Sequence, residues 1–588
     1  MPSCYLTDNK MINTARNQGA KATDEYILKG GIEEVYEPHF TYHGFRYVEV
    51  TGFPGTPILE SIEGCVVHSA VEPTGGFVCS NPLINKIHQN ILWGQVSNLM
   101  SVPTDCPQRD ERMGDGQLTA EEVILNFDMA GFYTKWTLDM KQAQKEDGSL
   151  PDVVPPCLSL YPADPAWGTA CVIVPWYLYL YYEDKRILEE HYSVIKKWVD
   201  FLTSQAKNYI LFYDKFGDWC APSVNKRSGK TTDTPCEVTS TCYYYHDALT
   251  LFKIARILGK SEDAEKYSKL AKRIRNAFNR EFLEEDRYSG KEYSELYKTV
   301  EPLIPPTVPE GKEDEIKKRA AAVGVLSSQT TNLLPLFLDM VPEDKRETVL
   351  RNLIDDVAVT HSYHLNAGIV GTRYLFDVLT RYDYADLAYE LVTQTTYPSW
   401  GYMIKEGATT LWERWEYLVN DEANLNSHNH IMFGSVDTFF YKVLAGIRMD
   451  PSYPGFKQII IKARPVGDLK YASASLKTIR GIVSSGWSRN NDSLNLQVSL
   501  PCNTKAKVSI PKLKLKGVTV RESGKVIWQN QASVEQVAGI TGGEEGKYFI
   551  TFEIESGSYS FEPIFGNSRF CFLKKDLIKN KNKMIKFD

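Results

Sequence analysis

Asn81-Pro-Leu-Ile-Asn-Lys-Ile-His-Gln-Asn-Ile-Leu-Trp93 opens the part of the chain that decides the fold. Asn followed by Pro marks a helix start. The Asn side chain can cap a free backbone N–H, and the fixed φ of proline suits the first helical position. Leu83, Ile84, Ile87, Ile91 and Leu92 then recur at helical spacing and give one apolar face. Further helices are expected to start near Leu118, Ala170, Lys185, Ser240, Ser261, Ser327, Glu343, Asn366, Tyr384 and Gly434. Long loops rich in Pro, Trp and Asp separate some of them, and long loops in a compact domain are usually functional. Such a run of helices over residues 81–447 points to a double ring, an (α/α)6 barrel whose loops form a cleft on one face. No fixed sequence period supports the rival, a helical solenoid.

On both sides of this block the pattern turns to β. Residues 1–80 hold Glu34–Tyr36, Phe40–Val50 and Cys65–Val71, β-branched and aromatic stretches between Gly and Pro. They are too few to fold alone, so an incomplete sandwich or a cover on the helical block is expected. Residues 448–565 alternate clearly, as in Gln458-Ile-Ile-Ile, Leu494-Asn-Leu-Gln-Val-Ser-Leu and Tyr548-Phe-Ile-Thr-Phe-Glu-Ile, and read as an antiparallel β-sandwich. Residues 566–588 form a basic tail, read as solvated and disordered.

The 588 residues carry 67 Lys+Arg against 74 Asp+Glu, a net charge of −7, which argues against a nucleic-acid partner. No apolar run is long enough for a membrane span. The first thirty residues hold Asp8, Asp24 and Glu25 and no apolar run, so no signal peptide is read and a cytoplasmic location is expected, with a periplasmic one open if the N-terminus is truncated. The 11 Cys include no Cys-x-x-Cys pair and fit reduced thiols. The 34 Tyr and 11 Trp suggest rings that stack on a ligand, sugars being one class, though large helical cores also use them.

Two segments concentrate the chemistry. Pro103-Thr-Asp-Cys-Pro-Gln-Arg-Asp-Glu-Arg-Met-Gly-Asp-Gly-Gln117 packs Asp105, Asp110, Glu111 and Asp115 among Arg109 and Arg112. A solvated turn is the ordinary reading of such a run, but Cys106, Pro107 and Met113 suggest packing. Packed carboxylates acquire the shifted proton affinities that acid–base work needs. Three hundred residues on, Glu413 stands between Trp412 and Trp415 in Gly407-Ala-Thr-Thr-Leu-Trp-Glu-Arg-Trp-Glu416, and Ser427-His-Asn-His430 follows. Asp164-Pro-Ala-Trp-Gly168, Phe216-Gly-Asp-Trp-Cys220 and Tyr397-Pro-Ser-Trp-Gly-Tyr402 add further Trp-bearing loops. His361, His364, His428 and His430 lack a metal-protease pattern or a nearby Cys cluster, so neither metal nor cofactor is expected.

Taken in order, these motifs resemble the bacterial α-L-rhamnosidases of glycoside hydrolase family 78 over nearly the whole chain. The resemblance implies an (α/α)6 catalytic barrel flanked by β-sandwich regions. It also implies inverting hydrolysis of terminal α-L-rhamnosyl groups from a rhamnose-containing glycoside or oligosaccharide. By the same resemblance Glu111 matches the general acid and Glu413 the general base. Asp105, Arg109 and Asp115 match residues that hold rhamnose hydroxyls, Trp167, Trp219 and Trp400 aromatic walls of the pocket, and His430 a pocket histidine. Arg109 is expected to face sugar hydroxyls or pair with an Asp, because a cation beside Glu111 would oppose its protonation.

Two departures from the family pattern stand out. Met113-Gly-Asp-Gly-Gln117 skips about three residues, including a Trp, that members carry after Glu111. Members also carry further β domains before the segment seen here. The shortened loop leaves two alternatives open: a non-catalytic or weakened sugar-binding relic, and an (α/α)6 glycosidase for another sugar.

Overall fold

The computed structural model describes residues 5–6, 12–13, 17, 20–31, 33–109, 116–156, 160–213, 215–222, 234–290, 327–416, 427–490, 493–513 and 515–565. The helix Pro82–Ser97 begins where the sequence places it, with the Asn81 side chain accepting from Leu83 N at 2.9 Å. Ala170–Tyr182 and Lys185–Gln205, Cys236–Ile257 and Ser261–Phe282, Gln329–Phe337 and Glu343–Asp355, and Ile369–Arg381 and Ala385–Val392 follow as pairs, each helix packed on its partner.

The helix expected from Leu118 is broken into a 3-10 turn Gly116–Leu118, the helix Ala120–Asn126 and the helix Ala130–Ala143. The break has a tertiary cause. Phe127 is extended and bridges Pro73, while Thr74 N donates to Asn126 O (2.8 Å) and Asp128 N to Glu72 O (2.8 Å). Backbone pairing with an incoming segment draws the chain out of the helix. No described helix is long and apolar enough to cross a membrane.

The second unit is an eleven-stranded sheet among the described residues. Its two long strands, Leu494–Pro511 and Phe549–Ile564, pair along most of their length, with the register broken between Leu500 and Lys505. Before the break Leu494–Pro511 also pairs with Gly481–Arg489, and after it with Gln458–Ile461. That last pairing is parallel, an exception to the antiparallel reading. The strand Gly75–Cys79, which precedes the α-helices among the described residues, pairs with Tyr471–Thr478 and forms an edge of this sheet. Phe77 on this strand reaches the helical unit, stacking on Phe440 at 5.3 Å.

The strands expected at Glu34–Tyr36, Phe40–Val50 and Cys65–Val71 are not formed. Residues 33–71 carry only the 3-10 turn Leu59–Ser61, and many of their apolar side chains are exposed. A strand is stable only when its N–H and C=O groups find a paired neighbour, and the backbone bonds at the end of this segment, Ser69 N to Leu99 O (2.7 Å) and Val71 N to Ser69 O (2.7 Å), build no ladder. The segment docks at Ser69, whose hydroxyl accepts from Ser101 N (2.8 Å), and at Gly44. Gly44 is buried, and a Cβ added there would lie 2.8 Å from the backbone carbon of Pro107 and 2.9 Å from Gln108 N. The basic tail lies outside the described residues.

Candidate active site

The acidic loop leaves the helix Pro82–Ser97 through a tight pairing of Leu99–Met100 with Val102–Pro103. Thr104 closes the turn, its N–H donating to Asn98 O (2.9 Å) and its hydroxyl to Asn98 Oδ1 (3.1 Å). Asp105, Gln108 and Arg109 then face a ribbon made by residues 410–413 and 427–430. Glu413 N donates to Ser427 O (2.9 Å), His430 N to Leu411 O (2.9 Å) and the Thr410 hydroxyl to His428 O (2.7 Å).

Side chains close the join. Arg109 reaches Glu413 Oε2 at 3.3 Å, Gln108 Nε2 donates to the Ser427 hydroxyl at 2.9 Å, and His430 Nε2 contacts Asp105 Oδ1. Behind them Asn98 Nδ2 donates to Asn429 Oδ1 at 3.0 Å. Residues three hundred positions apart thus form one polar cluster.

Glu413 is the group best placed for chemistry. It is 8% exposed. Ser427 N donates to its Oε2 at 2.7 Å, and Arg109 points at the same oxygen. Among the described residues Oε1 takes no hydrogen bond. A carboxylate anchored through one oxygen keeps the other in a fixed direction for a proton. Arg109 thus pairs with Glu413, a carboxylate partner that the sequence, which points it at sugar hydroxyls or an Asp, does not name. In the Asp105–His430 pair, Met432 N donates to His430 Nδ1 at 3.4 Å, which assigns the ring proton to Nε2, facing Asp105.

The indoles divide into two groups. Trp167 lies on the short helix Pro165–Gly168, with its ring 4.6 Å from Phe216. Half-buried Trp219 also meets Phe216, at 5.5 Å and edge to face. Gln117 ties the first group to the acidic loop, its Nε2 donating to Ala166 O at 3.1 Å. The neighbour of Trp219, Cys220, has its thiol pushed up by burial and further by the charge of Glu413, with a smaller effect from Asp105. The Trp167 loop is thus bonded to the end of the acidic segment, and Cys220, beside Trp219, lies within electrostatic reach of Glu413.

Trp400 does not. It is fully buried, donates its indole N–H to Phe433 O (3.1 Å) and meets Trp415 edge-on at 5.2 Å. It offers no face to a ligand, and its place as a pocket wall is corrected to packing behind the ribbon. Trp412 and Trp415, at 2% and 0% exposure, likewise brace Glu413 from inside, Trp412 stacking on His428 at 4.6 Å. Bulky rings are the natural filler beneath an irregular ribbon, and sequence alone does not tell which side of the ribbon they take.

Glu111 and Asp115, with the shortened loop, lie outside the described residues. His361 bonds Asp356 (2.8 Å) and His364 the Thr396 hydroxyl (2.7 Å). Among the described residues no three His, Cys, Asp or Glu side chains converge as a metal site would require. A shallow cleft of about 790 Å³ on the sheet unit is lined by serines, glycines and Gln497 without a carboxylate, so it holds no acid–base pair.

Sequence reasoning missed Ser427, whose backbone N–H on Glu413 no residue type advertises. It also missed two buried carboxylates, Asp164 and Asp218. Asp164 was legible, since Asp before Pro is a helix-start signal of the kind used at Asn81.

Comparison with known proteins shows the family. Residues 72–444 match the family model of the bacterial α-L-rhamnosidase 6 hairpin glycosidase domain. Residues 446–525 match the C-terminal domain of bacterial α-L-rhamnosidase, and 4–68 its concanavalin-like domain. An α-L-rhamnosidase of Streptomyces avermitilis is 36% identical over 513 residues, 86% of this chain and 45% of that protein. One from Formosa agariphila is 34% identical over 517 residues, 86% of this chain and 52% of that protein. The chain spans about half the length of these curated relatives.

Among solved structures, the α-L-rhamnosidase from Dictyoglumus thermophilum superposes with a TM-score of 0.85 at 49% identity, over 95% of this chain and 58% of that one. The Streptomyces avermitilis α-L-rhamnosidase complexed with L-rhamnose gives 0.79 at 34% identity, over 95% and 49%. With the helical unit matched almost end to end, this chain belongs to the bacterial α-L-rhamnosidase family.

Proposed function

We propose that this chain is an inverting glycoside hydrolase that releases terminal α-L-rhamnose from rhamnosides. The observation that carries the reading is Glu413, buried beside Asp105, Arg109 and His430, with Oε2 anchored and Oε1 open among the described residues. In this mechanism Oε1 takes a proton from a water as the water attacks the anomeric carbon. Glu111, assigned from the sequence motif, protonates the departing glycosidic oxygen from the opposite face. Inversion requires room for that water, so the two carboxyl groups stand roughly 6.5–9.5 Å apart.

Asp105, oriented by His430, accepts from the rhamnose hydroxyls together with Asp115. Arg109 both steadies Glu413 and donates towards the sugar. Trp167 and Trp219 stack on the apolar side of the ring, the geometry in which indoles hold sugars. The helices of 81–447 close into an (α/α)6 barrel, a reading supported by the packing of Pro82–Ser97 against Trp400–Lys405 and the bond from Asn90 Nδ2 to Ala408 O (3.0 Å).

The test is release of rhamnose from an aryl α-L-rhamnoside, measured beside aryl glycosides of other sugars. Hydrolysis of the rhamnoside alone supports the reading. Binding without turnover, or preference for another sugar, contradicts it.

A second expectation arises at Gly44. A methyl group there must displace the backbone of Pro107 and Gln108, between the site residues Asp105 and Arg109. Misplacements near 1 Å cost up to ~10²-fold, so Gly44→Ala lowers kcat/KM on the aryl rhamnoside about tenfold or more. Unchanged kinetics would mean that the docked segment does not set the loop.

A further inference from the structure

Two buried carboxylates that the mechanism does not use bracket the aromatic loops. Asp164, 1% exposed, divides its oxygens between them. Oδ1 accepts from Ala166 N (2.9 Å) and caps the short helix that bears Trp167. Oδ2 accepts from Lys215 N (2.8 Å), Phe216 N (2.9 Å) and, more weakly, Gly217 N (3.4 Å), the turn that leads to Trp219. The Asp164 N–H donates to Asp152 Oδ1 (2.7 Å), and the other Asp152 oxygen takes Lys215 Nζ (2.5 Å).

At the far end of the same turn, Asp218 is fully buried and accepts from Gly368 N (2.9 Å), Gly371 N (2.9 Å) and the Thr330 hydroxyl (2.5 Å). Trp219 O accepts from Ile369 N (2.8 Å). Asp218 thus fastens the turn to the helix Ile369–Arg381, whereas Asp164 fastens it to Trp167. Phe216, whose N–H donates to Asp164, carries the ring that meets both indoles.

We propose that Asp164 is a positioning residue that sets the spacing of Trp167 and Trp219, and through it the affinity of the site for the sugar ring. The proposal rests on the reading of these indoles as walls of a rhamnose site. No other described side chain bonds both loops, and the charge suits the job, since one carboxylate satisfies N–H donors on two sides. An amide in its place has a single acceptor oxygen. Its NH2 would face either the Ala166 N–H or the 215–217 N–H groups, donor against donor, and one indole loop must move.

Asp164→Asn should therefore raise KM on an aryl α-L-rhamnoside about tenfold or more, with kcat within about threefold, the pattern of lost binding shared by ground and transition states. Affinity for free L-rhamnose, followed by quenching of Trp fluorescence, should fall by the same factor. Asp164→Ser, whose hydroxyl still caps Ala166 N, frees only the Trp219 loop and serves if the Asn variant does not fold. Asp377→Asn is the control for damage to the fold. Asp377 lies on the helix Ile369–Arg381, roughly 12 Å along from its start, and pairs with Arg373 and with Lys442. It should lower Tm and leave KM alone.

A KM rise in the Asp164 variant without one in the Asp377 control supports the proposal. Unchanged KM and rhamnose affinity in a folded Asp164 variant, with wild type active, overturn it while the rhamnosidase reading stands. A wild-type chain that neither hydrolyses the rhamnoside nor binds rhamnose overturns that reading, and this proposal falls with it.

Discussion

Glu413→Gln lowers kcat by about 10²–10⁴-fold with little change in KM, the range for loss of a general base. The structure adds a reason beyond lost charge. Ser427 N and Arg109 both aim donors at the Oε2 position. A glutamine there turns its carbonyl oxygen to those donors, which puts its NH2 where Oε1 stood. The group that should accept a proton from water would then donate one. Because Gln fills the same volume and keeps the Ser427 bond, the fold should hold, and an unchanged Tm separates lost chemistry from lost structure. Wild-type turnover in a folded Glu413→Gln would remove Glu413 from the mechanism.

Glu111→Gln is expected to lose as much, but only where protonation is needed. A general acid matters in proportion to the basicity of the leaving oxygen, so a rhamnoside with an alkyl or sugar leaving group should lose about 10²–10⁴-fold in kcat. An activated nitrophenyl rhamnoside, which leaves as a stable anion, should lose much less. The Glu413 variant should be slow on both. Equal losses for the two variants on both substrates would mean that acid and base have been assigned to the wrong partners.

Much of this was legible from residue order. The cap at Asn81 fixed the first helix, and the spacing of the acid-rich and Trp-rich segments marked both halves of the site. What escaped local reading was settled by pairing over long distances. Helix formation stops at Phe127 because residues 72–74 pair there. Gly75–Cys79 joins a sheet whose other strands come after the helices, and Phe40–Val50 alternates well yet forms no strand, docking instead at Gly44 on Pro107 and Gln108. At the site the same limit applied to direction. A Trp beside a Gly in a loop reads alike at 167, 219 and 400, but packing sends Trp400 inward. Ser427 holds Glu413 through its backbone N–H, which any residue but proline could supply, while its hydroxyl accepts from Gln108.

The most direct test of the account is the anomer of the first product. Following hydrolysis of an aryl α-L-rhamnoside by proton NMR, before mutarotation, should show β-L-rhamnose appearing first, as attack by a water held at Glu413 requires. Release of α-L-rhamnose first would mean a covalent intermediate on one carboxylate, and would contradict the role given to Glu413.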